Sequence, residues 1–95
     1  MEIFADIVGT HFRGSEAKRI ANSLEEGDAV QLEREPDNQY DANAVACYAQ
    51  GEHIGYIPAA NNTALALAMD DMVEVEAEVI GRNGSKPTLL IRWAS

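Results

Sequence analysis

Between residues 27 and 58 three strand-like runs are joined through one polar loop, and that arrangement commits the chain to a β-rich fold. Val30, Leu32 and Arg34 alternate with Gln31, Glu33 and Glu35, the two-residue period of a half-buried strand. Pro36 has no backbone donor, so pairing stops there. The loop, residues 35–43, is built of turn formers. Pro36 presets φ, and Asp37, Asn38, Asp41 and Asn43 carry side chains able to bond neighbouring backbone groups. Tyr40 is out of character in it: a large ring in a hydrophilic loop either plugs the end of the core or faces a ligand, and both readings stand on the residues alone. Residues 44–49 and 52–57 then read as a hairpin around Gln50-Gly51, with Gly51 at positive φ. Gly55, inside the second run, marks a bulge or the close approach of another backbone.

The flanking segments supply the rest of a barrel. Residues 1–8 place Ile3, Ala5 and Ile7 on one face of a strand that Gly9 ends. Ala17, Ile20, Ala21 and Leu24 fall at i, i+3, i+4 and i+7 and predict a helix over about residues 15–24, with Gly14 and Ser15 at its start and Gly27 as a left-handed exit. Asn61 or Asn62 caps a second helix reaching about Asp71. Its stripe is Leu65, Ala68, Met69 and Met72, and Leu67 makes it apolar on most sides, so a buried position across the open end of a barrel is expected. Val73, Val75, Ala77 and Val79 alternate with a solvated row of Glu74, Glu76 and Glu78. After a turn at residues 82–85, a last strand over 88–93 puts Leu89, Ile91 and Trp93 on one side. Strand, helix, three strands, helix and two strands is the order of a mainly β, small antiparallel β-barrel of about six strands with two helices, one domain over residues 1–95. Its expected core is Ile7, Val30, Leu32, Val45, Cys47, Ile54, Val75, Val79, Leu89 and Ile91.

Charge and side-chain chemistry narrow the function. Sixteen acidic against seven basic residues give a net charge of −9, which argues against strong non-specific binding to DNA or to an anionic membrane, so any nucleic-acid contact is local. Cys47, the single cysteine, reads as a small buried hydrophobe. The acidic start MEIFADIVG breaks its apolar run at Asp6 and is neither a signal peptide nor a membrane span, which makes the cytoplasm the expected compartment. Asp37-x-Gln39-x-Asp41 lacks the middle ligand and the glycine of a calcium loop, and His11 and His53 have no ligand-like spacing, so no metal or other cofactor is expected. Asp37 and Asp41 as the paired carboxylates of a hydrolase lack a metal cluster to activate water. A binding module, not an enzyme, is the expectation.

Val8-Gly9, Gly27-Asp28, Leu32-x-Arg34-Glu35-Pro36-x-Asn38-x-Tyr40-Asp41-x-Asn43-Ala44-Val45 and Ile54-Gly55-Tyr56-Ile57-Pro58, followed by an alanine-rich helix, together resemble the HIRAN domain over about residues 3–93. The resemblance implies an OB-like barrel with two helices and recognition of single-stranded DNA at a free 3′-hydroxyl end. By the family motif Tyr40 stacks on a terminal base and Asp41 accepts a hydrogen bond from the 3′-hydroxyl, with Asn38 beside them as the residue that holds the turn. DNA-binding members carry an arginine and two tyrosines after the first strand. This chain has the shorter Thr10-His11-Phe12-Arg13, so Phe12 is carried over as a stacking face and Arg13 as a phosphate partner. The expected interface is therefore Phe12, Arg13, Asn38, Tyr40 and Asp41. A protein-interaction or adaptor module in a DNA-processing assembly is the alternative, with a protein partner on the same surface.

Overall fold

The computed structural model describes residues 1–94. Its elements are β1 (Glu2–Asp6), α1 (Ser15–Ser23), β2 (Gln31–Arg34), β3 (Val45–Ala49), β4 (Glu52–Tyr56), α2 (Thr63–Asp70), β5 (Val75–Asn83) and β6 (Lys86–Trp93), with 3₁₀ turns at Thr10–Phe12 and Ala59–Asn61. The expected order of strands and helices holds. All strand pairs are antiparallel, and they form two three-stranded sheets, β1-β6-β5 and β2-β3-β4. No closed barrel is formed among the described residues. Instead the sheets meet at two isolated bridges, Val8 with Tyr56 and Ala29 with Glu78. At the first, each residue's N–H donates to the other's carbonyl at 2.9 Å.

Eight of the ten expected core residues are buried. Leu32 and Val75 are only half-buried, although both pack on the core, because they line an open groove between β2 and β5. Alternation identifies a strand's inner face but not which strand borders an opening. The core also takes in Ala17, Ile20 and Leu24 from the α1 segment. Cys47 lies at its centre, where burial pushes the thiol pKa up.

Three local expectations need correction. α1 ends at Ser23, and Leu24 after it is extended, with a φ of −65° and a ψ of 137°, so Gly27 is not the helix exit but a left-handed residue in the turn leading to β2. The exposed end of the helix is held by Arg82, whose Nη2 donates to the carbonyls of Ala21 (2.8 Å), Asn22 (3.0 Å) and Leu24 (2.7 Å). A cation there also complements the helix dipole. α2 buries Leu65, Ala66 and Ala68 but leaves Leu67 64 % exposed, so it is covered on one side rather than on most, and Met72, expected on its buried stripe, lies past its end and is 90 % exposed. Asn62 occupies the helix-capping position without making a side-chain cap.

Gly55 meets both descriptions given for it. The β3–β4 register shifts between Cys47 and Tyr48, opposite it. A Cβ on Gly55 would lie 2.6 Å from both the Val8 carbonyl oxygen and Ile7 Cγ2, at a φ of +155°. The β3–β4 turn has positive φ at both Gln50 (52°) and Gly51 (78°), the requirement of the tight turn that matches strand twist.

Candidate functional site

Residues 35–43 fold as two turns set back to back. Asn38 N–H donates to Glu35 O and Ala44 N–H to Asp41 O, and Glu35 N–H closes the neck on Ala44 O, each at 3.0 Å. Asn38 is the internal brace: its Oδ1 accepts from the N–H groups of Tyr40 (2.9 Å) and Asp41 (3.1 Å), while Nδ2 donates to Glu35 Oε1 (3.1 Å). Asp41 Oδ1 accepts from Asn43 N–H and Oδ2 from Asn62 Nδ2, both at 2.8 Å. Asn62 is buried, so its amide trades a helix cap for a tie between α2 and the loop. Beneath the loop, Arg34 donates through Nη1 to Ala44 O (2.8 Å) and through Nη2 to Ala42 O (3.0 Å), and its guanidinium faces the Asp70 carboxylate at 2.8 and 3.1 Å.

This scaffold leaves Tyr40 89 % exposed. The ring does not plug the core. With Asn38 and Asp41 it borders a cleft of about 250 Å³ whose other walls are Val8, Ala44, Tyr56, Ile57 and Ala59. Tyr56 donates its hydroxyl to Glu35 Oε1 at 2.8 Å; burial, the bond to Glu35 and that residue's charge all push the tyrosine's pKa up. Burial alone would raise the Glu35 carboxyl, but the bonds from Asn38 and Tyr56 and the charge of Arg13 hold it below the usual carboxylate range.

Arg13 approaches from the other side. Its Nη1 lies 2.9 Å from His53 Nδ1, and His53 Nε2 lies 3.0 Å from Gly55 O. A carbonyl oxygen only accepts, so Nε2 carries the proton and Nδ1 receives the bond from the guanidinium. The His53 ring stacks on Tyr48 (5.0 Å, 19°) and meets Tyr56 edge-on (4.8 Å, 78°). Asn38, Tyr40 and Asp41 therefore share one cleft, and Arg13 is joined to it through His53 and Tyr56. Phe12 does not line that cleft; it is 76 % exposed and tilts against His11 at 3.9 Å. Sequence reasoning missed Tyr56 as a cleft wall and Asn62 as a support. Tyr56 stands in the Ile-Gly-Tyr run beside the one glycine with no room for a side chain, a signal that was available. Nothing local tells which of Asn61 and Asn62 turns inward.

Fold and site together define a small antiparallel β domain that offers an exposed aromatic beside a carboxylate on a shallow, loop-borne cleft. The chain belongs to the HIRAN domain family, whose model matches residues 1–94, a family known for nucleic-acid binding. A crystal structure of a protein from Lactobacillus plantarum is similar at 26 % identity and a TM-score of 0.84, covering 100 % of this chain and 98 % of that one. The crystal structure of the HIRAN domain of human HLTF shares the fold, with 23 % identity and a TM-score of 0.78 over 97 % of this chain and 74 % of that one. A comparison with curated proteins finds no match.

Proposed function

We propose that this domain is a non-catalytic module that binds single-stranded DNA and recognises a free 3′-hydroxyl end in the Tyr40 cleft. The observation that carries the reading is an almost fully exposed tyrosine ring held beside a half-buried carboxylate on one small cleft. An exposed ring is costly to leave in water unless something covers it, and a base is a flat apolar surface of suitable shape. Asp41 spends one acceptor position of each oxygen on Asn43 and Asn62. A carboxylate has about four such positions, so the remainder are open to a terminal hydroxyl, whereas a terminal phosphate is repelled. Arg13, joined to the cleft through His53 and Tyr56, is the phosphate partner in this reading, and Phe12 meets the strand outside the cleft. The two bridges that tie the sheets support description of the scaffold as an OB-like barrel open at two seams.

Fluorescence anisotropy with short strands ending in a 3′-hydroxyl or a 3′-phosphate tests the proposal. The hydroxyl end is expected to bind more tightly. Tyr40→Ala should weaken binding about tenfold, within the ~1–3 kcal/mol of one stacked base, at an unchanged melting temperature because the ring supports nothing in the core. Asp41→Asn should shrink the ratio between the two ends. That ratio is taken within one variant, so any loosening of the loop affects both strands alike. Equal affinity of the wild-type domain for the two ends refutes end recognition, and affinity indifferent to salt turns the reading towards a docked protein partner.

A further inference from the structure

The chain has only two lysines, Lys18 on α1 and Lys86 at the start of β6, and the fold brings both to one cleft of about 340 Å³. Thr10, His11, Asn22 and Ser85 also line it. The remaining basic residues are engaged: Arg19 with Glu16, Arg34 with Asp70, Arg92 with Glu76 and Glu78, Arg82 on backbone carbonyls and Arg13 on His53. Among the described residues, neither lysine has a carboxylate within 4.0 Å. On a chain of net charge −9, the two lysines without a carboxylate partner thus line one cleft, together with a histidine, a threonine, a serine and an asparagine. That donor set suits a tetrahedral oxyanion. Asp6 is the opposing charge: it is near enough for Lys86 to lower its pKa slightly, after the larger effects of the bonds from Thr88 and Asn83. Those two bonds, at 2.6 and 2.8 Å, engage both of its oxygens.

The lysine cleft and the Tyr40 cleft share Val8 as a wall, and Val8 also lines a third depression, bordered by Phe4, Asp6, Asn61 and Lys86, that shares Lys86 with the lysine cleft. Phe4, 61 % exposed, offers an unpartnered ring there. We infer that the Lys18–Lys86 cleft is an anion site that takes a backbone phosphate of a strand whose 3′ end lies in the Tyr40 cleft; this rests on the proposed function. The strand crosses the Val8–Tyr56 bridge, and the lysines supply the long-range attraction that an acidic body lacks.

Two measurements separate this inference from the reading beneath it. Titration with inorganic phosphate at constant ionic strength, followed by amide NMR, should move Thr10, His11, Lys18, Ser85 and Lys86 together, and the double variant Lys18→Gln/Lys86→Gln should abolish the response. Both lysines are exposed, so the variant keeps its fold. With an oligothymidine strand, the double variant should reduce the slope of log affinity against log salt by about 0.7, the value for one phosphate contact, and leave the preference for a 3′-hydroxyl untouched. An absent or scattered phosphate response, or an unchanged slope in the double variant, overturns the lysine site while end recognition stands. Phosphate bound in the cleft by a wild-type domain with no affinity for strands overturns both the strand route and the proposed function, leaving a free-phosphate site.

Discussion

Gly55→Ala is expected to lower the melting temperature by about 15 °C, the largest loss foreseen for any single methyl group in this domain. The added carbon would sit 2.6 Å from the Val8 carbonyl oxygen and from Ile7 Cγ2, and 3.2 Å from Thr10 Oγ1. Ile7 is fully buried, and Val8 is fixed by its paired hydrogen bonds to Tyr56, so neither neighbour has anywhere to go. The backbone must also hold a φ of +155°, which side chains rarely adopt. Overpacking and conformational strain each cost about 1–3 kcal/mol. A combined loss of about 3 kcal/mol, at roughly 4–8 °C per kcal/mol for a domain of this size, gives the expected shift. Gly81→Ala is the control, because nothing lies within 4 Å of a Cβ there; it should melt close to wild type. Thermal unfolding of the two variants decides the matter. If Gly55→Ala melts within a few degrees of wild type, the close approach of residues 7–8 to β4 is not what requires glycine.

The same position shows how far residue patterns reach. A glycine interrupting a strand pattern announces that something comes close, but only the fold reveals that the neighbour is the residue 7–8 backbone. Strand and helix order were legible because burial follows a period of two or of 3.6, and a period is a local property. Leu32, Val75 and Leu67 depart from expectation because exposure at a seam or on an uncovered helix face depends on what is absent opposite, which no period encodes. The loop divides along the same line. Asn38 bonding Tyr40 and Asp41, and Asp41 bonding Asn43, are contacts two or three residues apart and follow from the chemistry of Asx turns. The ties that aim the loop join residues 21 to 40 positions apart: Tyr56 to Glu35, Asn62 to Asp41, Arg34 to Asp70 and Arg13 to His53. Phe12 was placed with Tyr40 on motif order alone. In the fold it tilts against His11 and is not one of the cleft walls.

Arg34→Met should separate the loop from its floor, costing about 2 kcal/mol of stability and about thirtyfold in affinity for a single strand, since each 1.4 kcal/mol is a factor of ten. The arginine side chain is 12 % exposed and its fork serves three acceptors at once: the Ala42 carbonyl, the Ala44 carbonyl and the Asp70 carboxylate. Hydrogen bonds to a charged donor are worth about 1.5–3 kcal/mol each, and partial solvation of the Ala42 side reduces the total towards the lower figure. Met preserves the packing of the stem but supplies no donor, so residues 41–44 lose the groups that hold them against β2 and α2. Tyr40 and Asp41 then sample many positions, and a strand must order them on binding. Arg34→Lys should fare little better, because one ammonium cannot reproduce a planar fork. Asp70→Asn distinguishes the two halves of the interaction. It replaces the half-exposed carboxylate by an amide whose oxygen can still accept from the guanidinium, and leaves both carbonyl bonds in place, so binding and melting should stay near wild type. Were Asp70→Asn as damaging as Arg34→Met, the ion pair and not the carbonyl bonds would be what holds the loop; were Arg34→Met to bind strands normally, the loop would not need its floor at all.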